Sequence, residues 1–558
     1  MSTFKHEGHQ LVVGRTADDE VFALDNRCPH EGYPLAQGDL KGCALTCCWH
    51  NWKFDVRDGS CTIGGEGVRH YPTRVSDGQL QVDLTPPNPA EAIADLRTSF
   101  FEGLHKGEVG RALRDAARQL QLDRPARAIL WDIALQDARY AEYGSSHVLA
   151  VAAEAARILP RHVGSDALYA IAPALDLCAD SNRYMPERAV PKSIASDSGS
   201  VEDDIVAAIE SEELAQAEGL FRGVVDSGAS LEGLDHLLLR CASLHLTGFG
   251  HELIYLSKIR EFMDGAPVDI VREVYAALLF SIGIGTRQDT LPFMKPYTSR
   301  FAKVEDELAS FAASARDDAE FDAASVRDAV LDGNAEAAVQ AVTGALRSGV
   351  STARVARAVV AAAAHRLWRF DIAVDRDPMV AETWLWVTHR FTFSSAVRIA
   401  SERWGGVEAI RLLFQSVAFV HSGHSMDRAS EDRKLPDAEA LGLSGLMTAL
   451  ASKDEDRAQA AILHMVRAEE DLQPAREAIE ELALSDPMVR PIFVAHVWKT
   501  PIAAFDEVSS LPIEDAEVAL AGAMRFLATP IAERRVRETV GTTLRWVVDG
   551  QMPRKLTQ

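Results

Sequence analysis

Val21-Phe-Ala-Leu-Asp-Asn-Arg-Cys-Pro-His30 and Cys47-Cys-Trp-His50, with sixteen residues between them, decide how this chain begins. The pattern is C-x-H followed by C-x-x-H, so each half offers one thiolate and one imidazole from a single tight loop. Two such loops facing each other make a four-donor site. Thiolate and neutral imidazole both suit iron and zinc. Two irons would divide the donors, with Cys28 and Cys47 on one and His30 and His50 on the other. The imidazoles would lower the negative charge at their iron and raise its potential above that of an all-cysteine site. One zinc ion held by the same two cysteines and two histidines also satisfies the donor count.

The other cysteines point the same way. Of seven, five (Cys28, Cys43, Cys47, Cys48 and Cys61) fall within the first 61 residues. So uneven a distribution indicates metal binding rather than a disulfide framework. Around these cysteines lie short apolar or alternating runs: Gln10–Gly14, Val21–Leu24, Cys43–Thr46 and Gln79–Leu84. Asp and Gly punctuate them at Asp18-Asp19, Asp58-Gly59 and Asp77-Gly78, the pattern of a small antiparallel β domain over residues 1–85. Thr85-Pro-Pro-Asn-Pro89 then breaks the pattern, and residues 86–90 read as a linker.

Residues 91–558 predict an all-α domain. Ala and Leu recur with Arg, Glu and Asp at three- and four-residue spacing over Asp95–Leu122, Val201–Val225, Val268–Ile284, Ser351–Phe370 and Ala458–Glu470. Pro191–Ser200 is small and polar and reads as a flexible surface loop, and His424–Pro436 resembles it. A faint repeat is visible, in which His147, His251 and His389 each open an amphipathic helix. Their spacings are unequal, at 104 and 138 residues.

The formal charge of −24 argues against nucleic acid and against an anionic membrane as partners, since phosphate binding needs clustered Lys and Arg. No run of about 18 uncharged apolar residues suggests a membrane span. The N-terminal stretch lacks the basic-then-apolar order of a signal peptide, so a cytoplasmic protein is expected.

Residues 1–85 resemble the Rieske family, in its ferredoxin and oxygenase branch. Beyond the four donors, the resemblance rests on Val21–His30, Pro34-Leu35, Gly38, Trp49-His50, Trp52, Phe54-Asp55, Gly59 and Tyr71-Pro72. These flanking residues favour a [2Fe–2S] cluster over zinc. The resemblance implies an electron-carrying domain, alone or as the first domain of an oxygenase. Asn51 departs from the family's usual glycine. The extra disulfide of the respiratory branch, whose cysteines would lie near Tyr33 and Trp49, is missing. Cys48 reads as a spectator, and Cys43 and Cys61 as packing residues.

The familiar partner of such a cluster, a mononuclear iron held by two histidines and a carboxylate in an α+β domain, is not foreseen here. Its D-x-x-H-x-x-x-x-H run is missing, and His421-Ser-Gly-His424 with Asp427 is the nearest approach. Glu102-Gly-Leu-His105 is one E-x-x-H where a diiron bundle needs two. Gly283-Ile-Gly285 is no dinucleotide fingerprint.

Residues 130–425 are similar, more faintly, to the questin oxidase family. The likeness lies in Tyr143-Gly-Ser-Ser-His147 with Val148–Ala153, in Gly250–Leu256 with Val271–Ala277, and in Ala362–Arg366 with Thr388–Ser395. That resemblance implies oxidation of an aromatic polyketide with NADPH and oxygen, including Baeyer–Villiger-type ring opening. On this basis His147, His251 and His389 are the candidate catalytic residues, aimed from three helices at one cavity. They would either bind a second metal or act as acid and base beside an organic cofactor or a phenolic substrate. The competing reading makes each a hydrogen-bonded histidine at a helix start. Tyr143, Tyr255, His365, Thr392 and Trp386 are secondary candidates.

The expected function is a Rieske-dependent oxygenase taking electrons from a separate NAD(P)H-dependent reductase or ferredoxin, with O2 and a small aromatic molecule as substrates. The alternative is an electron carrier whose helical domain docks a partner enzyme.

Overall fold

The computed structural model describes residues 1–195, 200–377, 383–531 and 536–551. Residues 196–199 of the expected Pro191–Ser200 loop lie outside the described residues. The chain forms a small β region followed by a large helical one, and it divides into two compact units. One comprises Met1–Ile129 with Val163–Leu168 and Asn182–Tyr184, and the other comprises the rest.

The β region has ten strands: β1 (Ser2–His6), β2 (His9–Arg15), β3 (Val21–Asp25), β4 (Asp39–Lys41), β5 (Ala44–Thr46), β6 (Lys53–Asp55), β7 (Cys61–Ile63), β8 (His70–Tyr71), β9 (Thr73–Ser76) and β10 (Gln79–Val82). One antiparallel sheet runs β1-β2-β3-β8, a second runs β4-β5-β6-β7, and β9 pairs with β10. Two hairpins turn on two left-handed residues each, Glu7-Gly8 and Asp77-Gly78, the conformation that matches the right-handed strand twist. Phe22, Leu24, Leu35, Leu45, Phe54 and Val56 fill the core, with Cys28 and Cys47 buried at its edge. Cys43 and Cys61 pack against this core and Cys48 is exposed.

Two helices, Pro89–Lys106 and Val109–Gln121, belong to the same unit. Pro89 and Ala90, inside the expected linker, are already helical, capped by the Asn88 side chain. Gly107 (φ 71°) breaks the run that the spacing joined from Asp95 to Leu122. Glu66, 4% exposed, receives Arg114 Nε at 2.8 Å and Arg118 Nη1 at 2.9 Å, tying the β region to the second helix.

In the second unit, four helices pack in a closed ring, each against the next: His147–Ile158, His251–Met263, Trp384–Arg403 and Pro491–Glu507. A polar tie accompanies each contact. Lys258 pairs with Glu154. Arg403 Nη1 donates to Ser257 O at 3.3 Å. Ser395 Oγ and Arg398 Nε donate to the buried Glu507. Arg157 meets Asp506 at 3.6 Å. All four helices are buried over most of their length. Among the described residues, no helix is long and apolar enough to cross a membrane.

His147 and His251 open their helices as expected. His389 does not: its helix starts at Trp384, capped by Thr383, and His389 sits more than a turn inside. Thr383 supplies the capping oxygen that the sequence reading had not located.

Candidate functional site

The first donor set is built by two short loops. Cys28 N–H donates to Tyr33 O at 2.8 Å and Gly32 N–H to Cys28 O at 2.7 Å. Cys47 N–H donates to Trp52 O at 2.8 Å and Asn51 N–H to Cys47 O at 3.1 Å. Closing the second loop requires a left-handed residue, and Asn51 takes φ 60°. Asparagine tolerates that conformation better than most side chains, which explains how it replaces the family's usual glycine.

These turns bury the Cys28 and Cys47 thiols together and bring the His30 and His50 Nδ1 atoms to 3.0 Å. Burial, with Cys47 beside it, pushes the Cys28 thiol up to about 11. A thiol so placed ionises readily only with a cation to hold it. Two buried sulfurs side by side and two exposed imidazole nitrogens 3.0 Å apart, carried on the same two loops, fit a cluster bound by Cys28, Cys47, His30 and His50. His30 stacks on Trp52 at 4.7 Å, and Tyr33 stacks on Trp49 at 5.6 Å with their planes 8° apart. The second stack bridges the two loops where a disulfide is missing.

The second donor set lies within the helix ring. His389 Nε2 meets His251 Nε2 at 2.7 Å, His496 Nε2 at 3.1 Å and Lys499 Nζ at 3.1 Å. His147, His251 and His389 each offer a ring nitrogen within 4.8 Å of the others. His147 Nε2 is buried with no hydrogen-bond partner, while its Nδ1 lies 3.5 Å from the Tyr255 hydroxyl.

Tautomers decide what this cluster can do. His496 Nδ1–H donates to Ile492 O at 2.8 Å, and His251 hydrogen-bonds the Gly248 backbone. Both therefore turn bare Nε2 lone pairs toward His389, which can donate to only one of them. An excess of lone pairs in a buried site is unstable by itself and is relieved by a cation. Burial, followed by the Lys499 charge, holds His147, His389 and His496 well below the ordinary imidazole range and His251 at about 3. Burial also drives Lys499 well below its usual value. Burial thus disfavours the charged form of every group in the set, and uncharged imidazole is the form that a metal requires.

Aromatic rings line the set. Tyr255 stacks on His251 at 5.6 Å, and Phe249 stacks on His389 at 6.0 Å and meets Trp386 edge-on at 4.1 Å. Gly248, Phe249 and Gly250 are successively left-handed, at φ 48°, 60° and 80°. They reverse the chain into the His251 helix. A Cβ on Gly250 would strike the Phe393 ring at 2.1 Å.

The structure thus brings His147, His251 and His389 together and leaves other candidates elsewhere. Tyr143 is exposed. His365 pairs with Asp515 at 3.0 Å, and Thr392 Oγ1 donates to Thr388 O at 2.9 Å. His421 uses both ring nitrogens, on Tyr297 and Gly333. Glu102 pairs with Lys106 and Arg111. His496 and Lys499 were missed in the sequence. Their signal was a His and a Lys three apart on one face of the apolar run Phe493–Ala504, polar groups where only burial awaits them.

Residues 1–72 match the family model of the Rieske [2Fe-2S] domain. The chain is 36% identical over 80 residues to the ferredoxin component of the p-cumate 2,3-dioxygenase system of Pseudomonas putida, covering 67% of it and 14% of this chain. It is 36% identical over 97 residues to 4beta-methylsterol monooxygenase of Methylococcus capsulatus, 15% of this chain and 26% of that protein. It is 30% identical over 99 residues to oxidoreductase NdmD of Pseudomonas putida, 16% of this chain and 17% of that protein. The chain spans about a quarter or less of the latter two.

Proposed function

Because the chain belongs to the Rieske [2Fe-2S] proteins, we propose that it is an oxygenase whose oxidising centre is a mononuclear transition metal held by His147, His251, His389 and His496. The observation that carries this reading is the convergence of buried imidazole nitrogens on His389 Nε2, with His147 Nε2 otherwise unpartnered. Imidazole donors suit iron, copper, nickel and zinc; a one-electron donor domain calls for a redox-active ion, which sets zinc aside and makes iron the first ion to test. When bound, the [2Fe–2S] cluster at Cys28, Cys47, His30 and His50 supplies one-electron transfer.

The residues around the imidazoles then have definite work. All four ligands are neutral, so a divalent ion there keeps its full charge and draws an anionic oxygen, such as a phenolate, toward it. Lys499 Nζ, 3.1 Å from His389 Nε2, is placed to donate a hydrogen bond to a phenolic oxygen. Phe249, Trp386 and Tyr255 offer ring faces to a planar substrate, in keeping with the resemblance of this region to questin oxidases. Reducing equivalents would come from a separate NAD(P)H-dependent reductase.

A second reading has one observation in its favour, the coverage of two thirds of a stand-alone ferredoxin component. On that reading the protein carries electrons and its helical unit docks a partner. Counting iron against the EPR signal of the same dithionite-reduced sample separates the two. The oxygenase reading expects one iron beyond the cluster's two, lost in His389→Ala while the Rieske signal stays. Two irons and no other bound transition metal would end that reading.

A further inference from the structure

Apart from the four helices that carry the imidazoles, the helix Gly406–His421 bears two polar side chains one turn apart on one face, Arg411 and Gln415. Each has a buried atom that lacks a hydrogen-bond partner among the described residues, Arg411 Nε and Gln415 Oε1. The other end of each side chain is committed. Gln415 Nε2 donates to Ser243 O at 2.7 Å, which orients the amide, since a flipped one would set oxygen against oxygen. Arg411 Nη2 pairs with Glu305 at 3.2 Å. A donor and an acceptor are thus held in place with nothing to meet, and buried polar atoms so left are costly.

Both side chains line one cavity. It measures about 80 Å³ and lies among the Gly406–His421, Leu231–Leu244, Lys295–Phe301 and Ala335–Arg347 helices. At about 10–15 Å³ for each water, that is room for roughly five to eight waters, or for one small ring. Its apolar lining includes Leu246, Met294, Tyr297, Phe301 and Phe414, and the Phe301 and Phe414 rings lie 5.0 Å apart. Two carboxylates stand at its wall, Asp289 and Glu305. Asp289 is engaged by His245 Nδ1 at 2.8 Å and by the Leu246 N–H at 3.2 Å, and Glu305 by Arg411.

We infer that this cavity binds a small phenol, its ring among Met294, Phe301 and Phe414, its hydroxyl donating to Gln415 Oε1 and accepting from Arg411 Nε–H. A hydroxyl is the smallest neutral group that gives and takes a hydrogen bond at one atom. The aromatic walls favour a ring. Two carboxylates beside one guanidinium set an anionic guest aside, because like charges so placed repel it. The site uses none of the imidazole donors and stands apart from the oxygenase reading.

The test is calorimetric titration of the full chain with phenol and, separately, with anisole, which keeps the ring and an accepting oxygen but has no proton to give. Phenol is expected to bind saturably, and anisole about tenfold or more weakly, since it leaves Gln415 Oε1 unpaired. Hydrogen–deuterium exchange of the same unaltered chain locates the guest: phenol is expected to slow exchange in residues 291–304 and 411–418. Gln415→Leu is expected to bring phenol and anisole to similar affinities. No phenol binding, anisole bound as tightly as phenol, or protection confined to other segments overturns the proposal whether or not the variant folds. A folded Gln415→Leu chain that still prefers phenol about tenfold overturns it too.

Discussion

Glu507→Ala tests whether the helix ring holds its imidazoles in register. Glu507 is fully buried. Its Oε2 receives Arg398 Nε at 2.7 Å and its Oε1 receives Ser395 Oγ at 2.5 Å. These bonds join the helix carrying His389 to the helix carrying His496. Removing one partner of a buried ion pair costs about 3–5 kcal/mol, because the other charge is left without compensation. Arg398 keeps one ally, Glu402 at 2.6 Å, which is one-third exposed, so the lower end, about 3 kcal/mol, is expected.

The pair itself is a separate matter. Burial raises the Glu507 carboxyl even with Arg398 against it, while Glu507 holds the Arg398 guanidinium above its usual value against burial, so it is the carboxylate whose desolvation the attraction does not offset. Replacing both, as Glu507→Leu with Arg398→Met, should therefore cost less than Glu507→Ala alone. Urea unfolding followed by far-ultraviolet circular dichroism measures all three chains, with iron content taken on the same samples. A single variant losing less than about 1 kcal/mol, no more than an exposed pair contributes, would refute the reasoning. So would a double variant as unstable as the single one.

Cys47→Ser or His50→Ala should abolish the Rieske EPR signal and leave the helical circular dichroism intact; a signal unchanged in either variant removes that residue from the ligand set. Gly250→Ala must displace the Phe393 ring while holding φ 80°, so a loss of about 1–3 kcal/mol in unfolding free energy is expected, and an unchanged midpoint counts against the packing described. The Asp289 hydrogen bond, aided by Glu210, raises the His245 imidazole above its ordinary value. Its stabilising contribution is therefore complete below about pH 6.5 and fades as pH rises through the raised value; Asp289→Asn should flatten the fall in melting temperature over that interval, and an unaltered slope would show that His245 is not its source.

The β domain and the two loops that carry its proposed ligands were legible because each signal is local. A C-x-H loop, a C-x-x-H loop and period-two strands all lie within a few residues of their partners. The helical texture was equally plain, since periodicity survives without knowing what packs where. Helix ends were less so: Gly107 and Thr383 set boundaries that apolar spacing alone runs across or misplaces. The second site was half visible. His147 and His251 stand at helix starts beside turn residues, and sequence marks such positions. His389 is a buried polar residue within a helix, found by resemblance and placed wrongly at its start. His496 and Lys499 lay beyond the resemblance, and only tertiary contact shows that their face of the Pro491–Glu507 helix meets the other three. The cavity beside Gln415 was missed for the same reason, since its walls come together from distant stretches of chain.

The helix ring also dictates an order of events. Its four imidazoles are separated along the chain by 104, 138 and 107 residues. Contacts so remote form late in folding, because each closes a long loop before any attraction rewards it. During synthesis, His147 and His251 emerge and their helices can pair long before the last side of the ring exists. Until Pro491–Glu507 docks, the other three histidines form an open and incomplete set. On the proposed reading, metal capture would be a closing event, the ion binding the finished ring far better than any nascent portion of it, and by the same linkage it would hold shut the long loops that synthesis left to close last.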